Sequence, residues 1–262
     1  MSTNANRIFD QYYNGSYAHK GDQLRLQDDE IYSKGTLIGK IENLEYYDGY
    51  YENFLVLSLQ TFKSQKNWKT HQRQLAKAAN EVGMPVIIVP ELDIGFGLED
   101  TSKDIRVIIY NSEELITVAK YSQDEDVKTA VCAIKHGNFI ASDKVLAFSY
   151  NQYIDGEWMH AEDILCKYLE CKDLTNNDLE FHSLLEPCYD CLKAMILSGG
   201  HRILFAACHK DKWNTSKYIQ YVNDIQTKEV RSNSGRPVTY FKFDSRRANK
   251  FYNLEDKKWL YI

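Results

Sequence analysis

The stretch WMHAEDILCKYLE (Trp158–Glu170) and, after a short gap, LLEPCYDCLKAMILSGG (Leu184–Gly200) decide how this chain is read. Each is an apolar-striped segment of helical length that opens on groups able to bind a cation or move a proton. The first opens on His-Ala-Glu, the second on Pro-Cys-Tyr-Asp-Cys. Pro187 has a fixed φ and no N–H, which suits a helix start. Cys188 and Cys191, three apart, then share one face of the first turn. Unsatisfied N–H groups and the positive dipole end favour thiolates there.

Two thiolates on one face are half of a tetrahedral zinc site, and His160 at the other helix start can add a neutral imidazole. Three protein ligands, His160, Cys188 and Cys191, leave the fourth position open, as catalytic sites do and closed structural sites do not. His182 and His209 are further imidazoles able to close such a site with four ligands. Glu162, two residues beyond His160, can point toward the zinc region without being a ligand. A carboxylate there can take a proton from water and return it to a leaving nitrogen.

Working outward, the 262 residues suit one large domain or two of ordinary size. The chain is 44% hydrophobic and 26% charged, a globular composition, and four prolines with thirteen glycines argue against long linkers. A formal net charge of −5 gives no global basic field for nucleic acid, although basic residues cluster near Lys63–Lys77 and Arg231–Lys250. No apolar run approaches the roughly 20 residues that span a bilayer, and MSTNANRIFDQ is no signal peptide. A soluble cytoplasmic protein, without membrane partners, is expected. Its six cysteines are then thiols or ligands rather than a disulfide framework. Cys132, Cys166 and Cys208 stand among apolar residues and read as buried thiols.

The first part of the chain reads as α+β. EIYSKGTLIGKIE, NFLVLSLQ, MPVIIVPELD and SKDIRVIIYN have strand length and pattern. NWKTHQRQLAKAANEVG is a helix capped by Asn67 and stopped by Gly83, and SEELITVAKYS one capped by Ser112. The polar run Ser122–Lys128 is the candidate boundary, giving domains over 1–125 and 126–262. Beyond it come strands in TAVCAIKHG and NFIASDKVLAFSYN, the two helices, and a strand in RILFAACH that follows a helix and so runs parallel to a neighbour. NTSKYIQYVNDIQTK reads as a helix, RPVTYFKFD as a strand and SRRANKFY as a last helix.

His160-Ala161-Glu162 followed by EPCYDCLKAMILSGGHRILFA resembles the cytidine/deoxycytidylate deaminase superfamily, whose motif is His-Ala-Glu and then Pro-Cys-x-x-Cys. The likeness covers Thr129–His209. It implies a three-layer α/β/α domain with a mixed sheet, here preceded by a smaller α+β domain. It also implies one Zn²⁺ on His160, Cys188 and Cys191, with Glu162 as the proton shuttle. AFSYN resembles the family's second strand, so Asn151 is the implied sugar contact and the backbone at Ala161 the reader of the base edge. Tyr150, Tyr153 and Trp158 are placed to wall the pocket. The implied chemistry is hydrolytic: zinc lowers the pKa of bound water from about 15.7 to about 7, and the water displaces ammonia from C4 of cytosine or C6 of adenine.

Two substrate classes stay open. A free cytidine nucleoside or nucleotide needs a closed pocket and oligomer contacts, which leaves a homo-oligomer open. A base in single-stranded nucleic acid needs an open groove with cations and stacking rings. TKEVRSNSGRPVTYFKFDSRRANKFY interleaves such residues. Adenosine, as in tRNA-type deaminases, is the alternative base. A non-catalytic binding protein on the same fold is the alternative class, and the intact Glu162 argues against it.

Overall fold

A computed structural model describes residues 4–15, 23–46, 49–59, 66–92, 114–124, 127–135, 144–175, 179–207, 239–242, 252–253 and 258–259. The chain folds as two compact units: Met1–Glu99 with Gln152–Trp158, and Asp100–Asn151 with Met159–Ile262. The run Ser122–Lys128, read as the boundary, lies inside the second unit, where Ser122 Oγ donates to Asn151 O at 2.9 Å.

In the first unit, helix α1 (Asn4–Asn14) buries Ala5, Ile8 and Phe9. Their i, i+3, i+4 spacing makes one narrow apolar stripe. Strands β1 (Leu24–Gln27), β2 (Glu30–Ser33), β3 (Thr36–Tyr46) and β4 (Tyr50–Ser58) form an antiparallel meander. EIYSKGTLIGKIE is therefore two strands, broken at Lys34 and Gly35, whose φ of 50° and 85° make a tight hairpin turn. Helix α2 (Lys66–Glu81) then crosses over to β5 (Val86–Val89), which pairs parallel with β4. It starts at Lys66, ahead of the expected Asn67 cap, and stops at Gly83 (φ 76°) as expected.

The same unit includes a hairpin from far along the chain, β8 (Gln152–Ile154) and β9 (Glu157–Met159), its last residue excepted. Asp155 and Gly156, with φ of 51° and 86°, make its turn. The buried Gln152 amide holds it: Oε1 accepts from Val86 N at 2.8 Å and Asn80 Nδ2 at 2.9 Å, and Nε2 donates to Val86 O at 2.7 Å. Gln152 thus bonds Val86 as a neighbouring strand's peptide would.

The second unit is a mixed sheet in the order β7-β6-β10-β11-β12. Its strands are β6 (Ala130–Lys135), β7 (Lys144–Tyr150), β10 (Leu179–Leu185), β11 (Gly200–Ala207) and β12 (Thr239–Lys242). β6 is antiparallel to β7 and β10, whereas β10, β11 and β12 are mutually parallel. Helix α3 (Ala161–Cys171) joins the β8–β9 hairpin to β10, and α4 (Tyr189–Leu197) makes the β10–β11 crossover. All seven residues of β10 are buried, as a strand covered on both faces requires. Register assigns the faces, because residues directly opposite share one. Ser183, Val131 and Ser149 form one row, on the α3 face, and His182, Cys132 and Phe148 form the next, on the other. A helical segment over residues 114–119 buries Leu115, Val118 and Ala119.

The sequence reading missed α1, β1, β10 and the β8–β9 hairpin. SKDIRVIIYN, the helix in NTSKYIQYVNDIQTK, Cys208 and His209 lie outside the described residues. Of SRRANKFY only Tyr252 is described, and it is in a strand, β13 (Tyr252–Asn253), paired with β14 (Lys258–Trp259). Among the described residues no helix is long and apolar enough to cross a membrane.

Candidate metal centre and proton shuttle

Both helix starts supply their cap positions as candidate ligands. His160 is the N-cap of α3, with extended backbone (φ −73°, ψ 146°) and no side-chain cap bond. Cys188 is the N-cap of α4, and its Sγ accepts from Cys191 N at 3.5 Å, closing the first turn as a Ser or Asp cap would. Pro187 therefore stands just before the cap rather than inside the helix.

The three ligand atoms lie within 4.8 Å of one another; His160 is exposed, Cys188 half-buried and Cys191 buried. Zinc with Zn–S of about 2.3 Å and Zn–N of about 2.0 Å sets tetrahedral N and S neighbours roughly 3.5 Å apart. His160 Nδ1 is 3.2 Å from Cys191 Sγ and 3.6 Å from Cys188 Sγ. The donor set and its spacing fit the ion. The Cys191 thiol, then burial in opposition, then His160 act on Cys188, whose pKa is drawn down to about 4. Cys191 is pushed up by the same contact and by burial, so the pair shares one proton and Cys188 is the thiolate. The bond to Cys188 lifts His160 to about 9, and a metal would compete for that proton.

Glu162, at the second position of α3, is 4% exposed and outside the ligand trio. Burial raises its pKa above the ordinary carboxylate range, opposed by its own backbone N–H, by His160 and by Ser183. Ser183 Oγ donates to Glu162 Oε1 at 3.1 Å. Asp163, half-buried beside it, is raised by burial as well.

Because His160 does not cap its own helix, the first N–H of α3 needs another acceptor. Asn151, at the end of β7 and 8% exposed, provides it: Oδ1 accepts from Ala161 N at 3.0 Å. Asn151 Nδ2 donates to Val127 O at 3.3 Å. One lone pair and one amide proton of Asn151 remain for another partner.

The other expected residues are placed differently. Tyr150 shares a face with Phe148 and Cys132, opposite to Ser149 and Glu162. Its ring packs 5.8 Å from that of Tyr121, and burial raises its phenol pKa. That position does not suit a pocket wall. Trp158 and Tyr153, 47% and 43% exposed, stack edge-on at 5.2 Å on the β8–β9 hairpin. His182 is no fourth ligand: its Nε2 meets Glu180 Oε1 at 2.5 Å, on the face away from Ser183, and Arg202 Nη1 meets Glu180 Oε2 at 2.8 Å. Cys132 and Cys166 are buried free thiols, with pKa raised by burial, as expected. The sequence reading missed Ser183, and with β10 unread no signal pointed to it.

Solved structures similar to part of this chain include deaminases. The dCMP deaminase of cyanophage S-TIM5 is 15% identical with a TM-score of 0.36, over 50% of this chain and 92% of that one. A diaminohydroxyphosphoribosylaminopyrimidine deaminase/reductase of Thermotoga maritima is 15% identical with a TM-score of 0.38, over 53% and 37%. The guanine deaminase of Nitrosomonas europaea is 18% identical with a TM-score of 0.36, over 52% and 74%. No protein-family model and no curated protein matches the sequence. The second unit is a mixed α/β arrangement in which His160 and Cys188 stand at two helix starts. Likeness at this level says nothing of substrate, and the chemistry rests on the geometry of the site.

Proposed function

We propose that the protein is a zinc-dependent hydrolytic deaminase that converts cytosine to uracil in a nucleoside unit, free or within single-stranded nucleic acid. The observation that carries this reading is one His and two Cys donors gathered within 4.8 Å, with a buried carboxyl that is not a ligand beside them. A scaffold needs the donors but not the carboxyl.

His160, Cys188 and Cys191 would hold the ion, which when bound supplies an activated water and a Lewis acid at neutral pH. The chain's own groups supply the rest. Glu162 takes one proton from the attacking water to the ring nitrogen, then carries the second, from the hydroxyl now on C4, to the departing amine, so that ammonia leaves and C4 becomes a carbonyl. Its raised proton affinity suits a group that must both accept and donate. Asn151 holds the start of α3 with half of its amide and offers the other half to a sugar hydroxyl. The Ala161 N–H, engaged by Asn151, reads the base edge by sharing or exchanging that bond.

The test is ammonia release from cytosine, cytidine, deoxycytidylate, single-stranded DNA and RNA, and an adenosine-containing tRNA anticodon stem, with zinc content measured in parallel. Release from a cytidine-containing substrate but not from free cytosine is expected. Release from the adenosine substrate alone would move the assignment to adenine. Release from none, in a zinc-loaded protein, would leave the binding-protein reading.

A further inference from the structure

Strand β10 reaches the shuttle from beneath α3. Ser183 is fully buried, Glu162 is 4% exposed, and the hydroxyl of one donates to Oε1 of the other at 3.1 Å. A serine hydroxyl has a single proton to give, so this bond fixes its orientation. The carboxyl it meets hangs on three rotatable bonds at the second position of a helix, where no preceding turn constrains it. The neighbouring backbone N–H of Glu162 also faces the carboxyl, but it belongs to the same residue and moves with the same helix. Ser183 is the contact from a different element. It stands on β10, which is paired on both sides by β6 and β11, in the row that continues through Val131 to Ser149.

We propose that Ser183 is a positioning residue for Glu162. By pinning Oε1 to the sheet it sets the rotation of the carboxyl and leaves Oε2 as the oxygen that exchanges protons with water and base. The inference rests on the deaminase reading and deepens it. Ser183 touches neither substrate nor metal in this role and acts only through Glu162. A residue that merely filled space would affect folding or metal content, and its effect would not depend on which side chain stands at position 162.

The experiment compares wild type, Ser183→Ala, Glu162→Gln and the double variant, each assayed for zinc, kcat and KM on the substrate that the panel identifies. Ser183→Ala removes one oxygen and is expected to fold and to hold zinc as wild type does. Its kcat should fall about tenfold, the size of one ordinary hydrogen bond, with KM within about twofold. In the Glu162→Gln background the same change should have no further effect, because the group being positioned no longer shuttles protons. A second readout needs no turnover. In the metal-free protein, the infrared carboxyl band isolated by subtracting the Glu162→Gln spectrum should shift when Ser183 becomes Ala. An unshifted band, a wild-type kcat, or an equal loss in both backgrounds would overturn the role of Ser183 while leaving the deaminase reading intact. Failure of wild type to deaminate any substrate would instead overturn the deaminase reading, with the band shift still recording the contact.

Discussion

Asn151 shows how much one amide can carry. It accepts from the first N–H of α3 and donates to Val127, while Ser122 bonds its carbonyl. Asn151→Ala should cost about 1–2 kcal/mol, a lost cap plus a lost bond, measured as a shift in the urea midpoint. Asn151→Asp keeps the acceptor for Ala161 but turns an oxygen toward Val127 O, so near neutral pH it should be the more destabilised of the two. If the Asp variant equals wild type, the clamp described here is wrong. Glu162→Gln, by contrast, should keep fold and zinc and lose at least about 10²-fold in rate. The gathering of His160, Cys188 and Cys191 was legible in the sequence because metal chemistry admits few residue types at few spacings. Ser183 was not, since a serine on a strand means nothing until the strand's neighbours are known. Tyr150 misled for the same reason: one step along β7 moves a side chain to the other face.

At the scale of elements, the two helix starts do the assembling, and each presents its cap residue as a candidate ligand. Cys188→Ser replaces one cap with a better one, so α4 should persist while metal is lost. Metal analysis showing less than about one tenth of wild-type zinc, with unchanged far-ultraviolet circular dichroism, is the expected pair of results, and Cys191→Ser should lose zinc likewise. Retained zinc in both variants would rule out this ligand set. Between the helices lies β10, which sequence reading passed over. LEFHSLL mixes Glu, His and Ser with apolar residues and shows neither the alternation of a half-exposed strand nor the unbroken apolar run of a buried one. It is buried because its polar groups are matched: Glu180 faces His182 and Arg202, and Ser183 faces Glu162. Glu180→Ala removes the carboxylate that two basic groups share and should cost about 3 kcal/mol or more. Arg202→Ala should cost less, because the arginine side chain is 37% exposed. Chemical denaturation of both would check the order. Helix α1 left little trace in the sequence pattern because only Ala5, Ile8 and Phe9 among its eleven residues are buried.

On the scale of the whole molecule, pH acts on the first unit through His71, whose Nδ1 lies 2.6 Å from Ser33 Oγ. Burial, aided by Lys34, lowers its pKa below 6.5. The fold thus prefers the neutral ring. Its contribution is complete above the unfolded pKa and is lost as pH falls from 6.5 through the lower folded value. A His71→Gln variant should therefore lose less stability than wild type between about pH 7.5 and 5, read from denaturation midpoints. The polar run Ser122–Lys128 that suggested a boundary lies inside the second unit, and the place of Gln152–Trp158 in the first was not legible, because the β8–β9 hairpin is too short to leave a periodic trace. That hairpin has a consequence for how the chain is made. Residues 86–89 are synthesised long before Gln152, whose side chain binds the edge of Val86 and the amide of Asn80. At roughly 5–20 residues per second, the ribosome delivers that side chain several seconds late. Until it arrives the Val86 N–H and C=O stay open to water or to a wrong partner, so the first unit cannot close on the nascent chain before β7 has been translated.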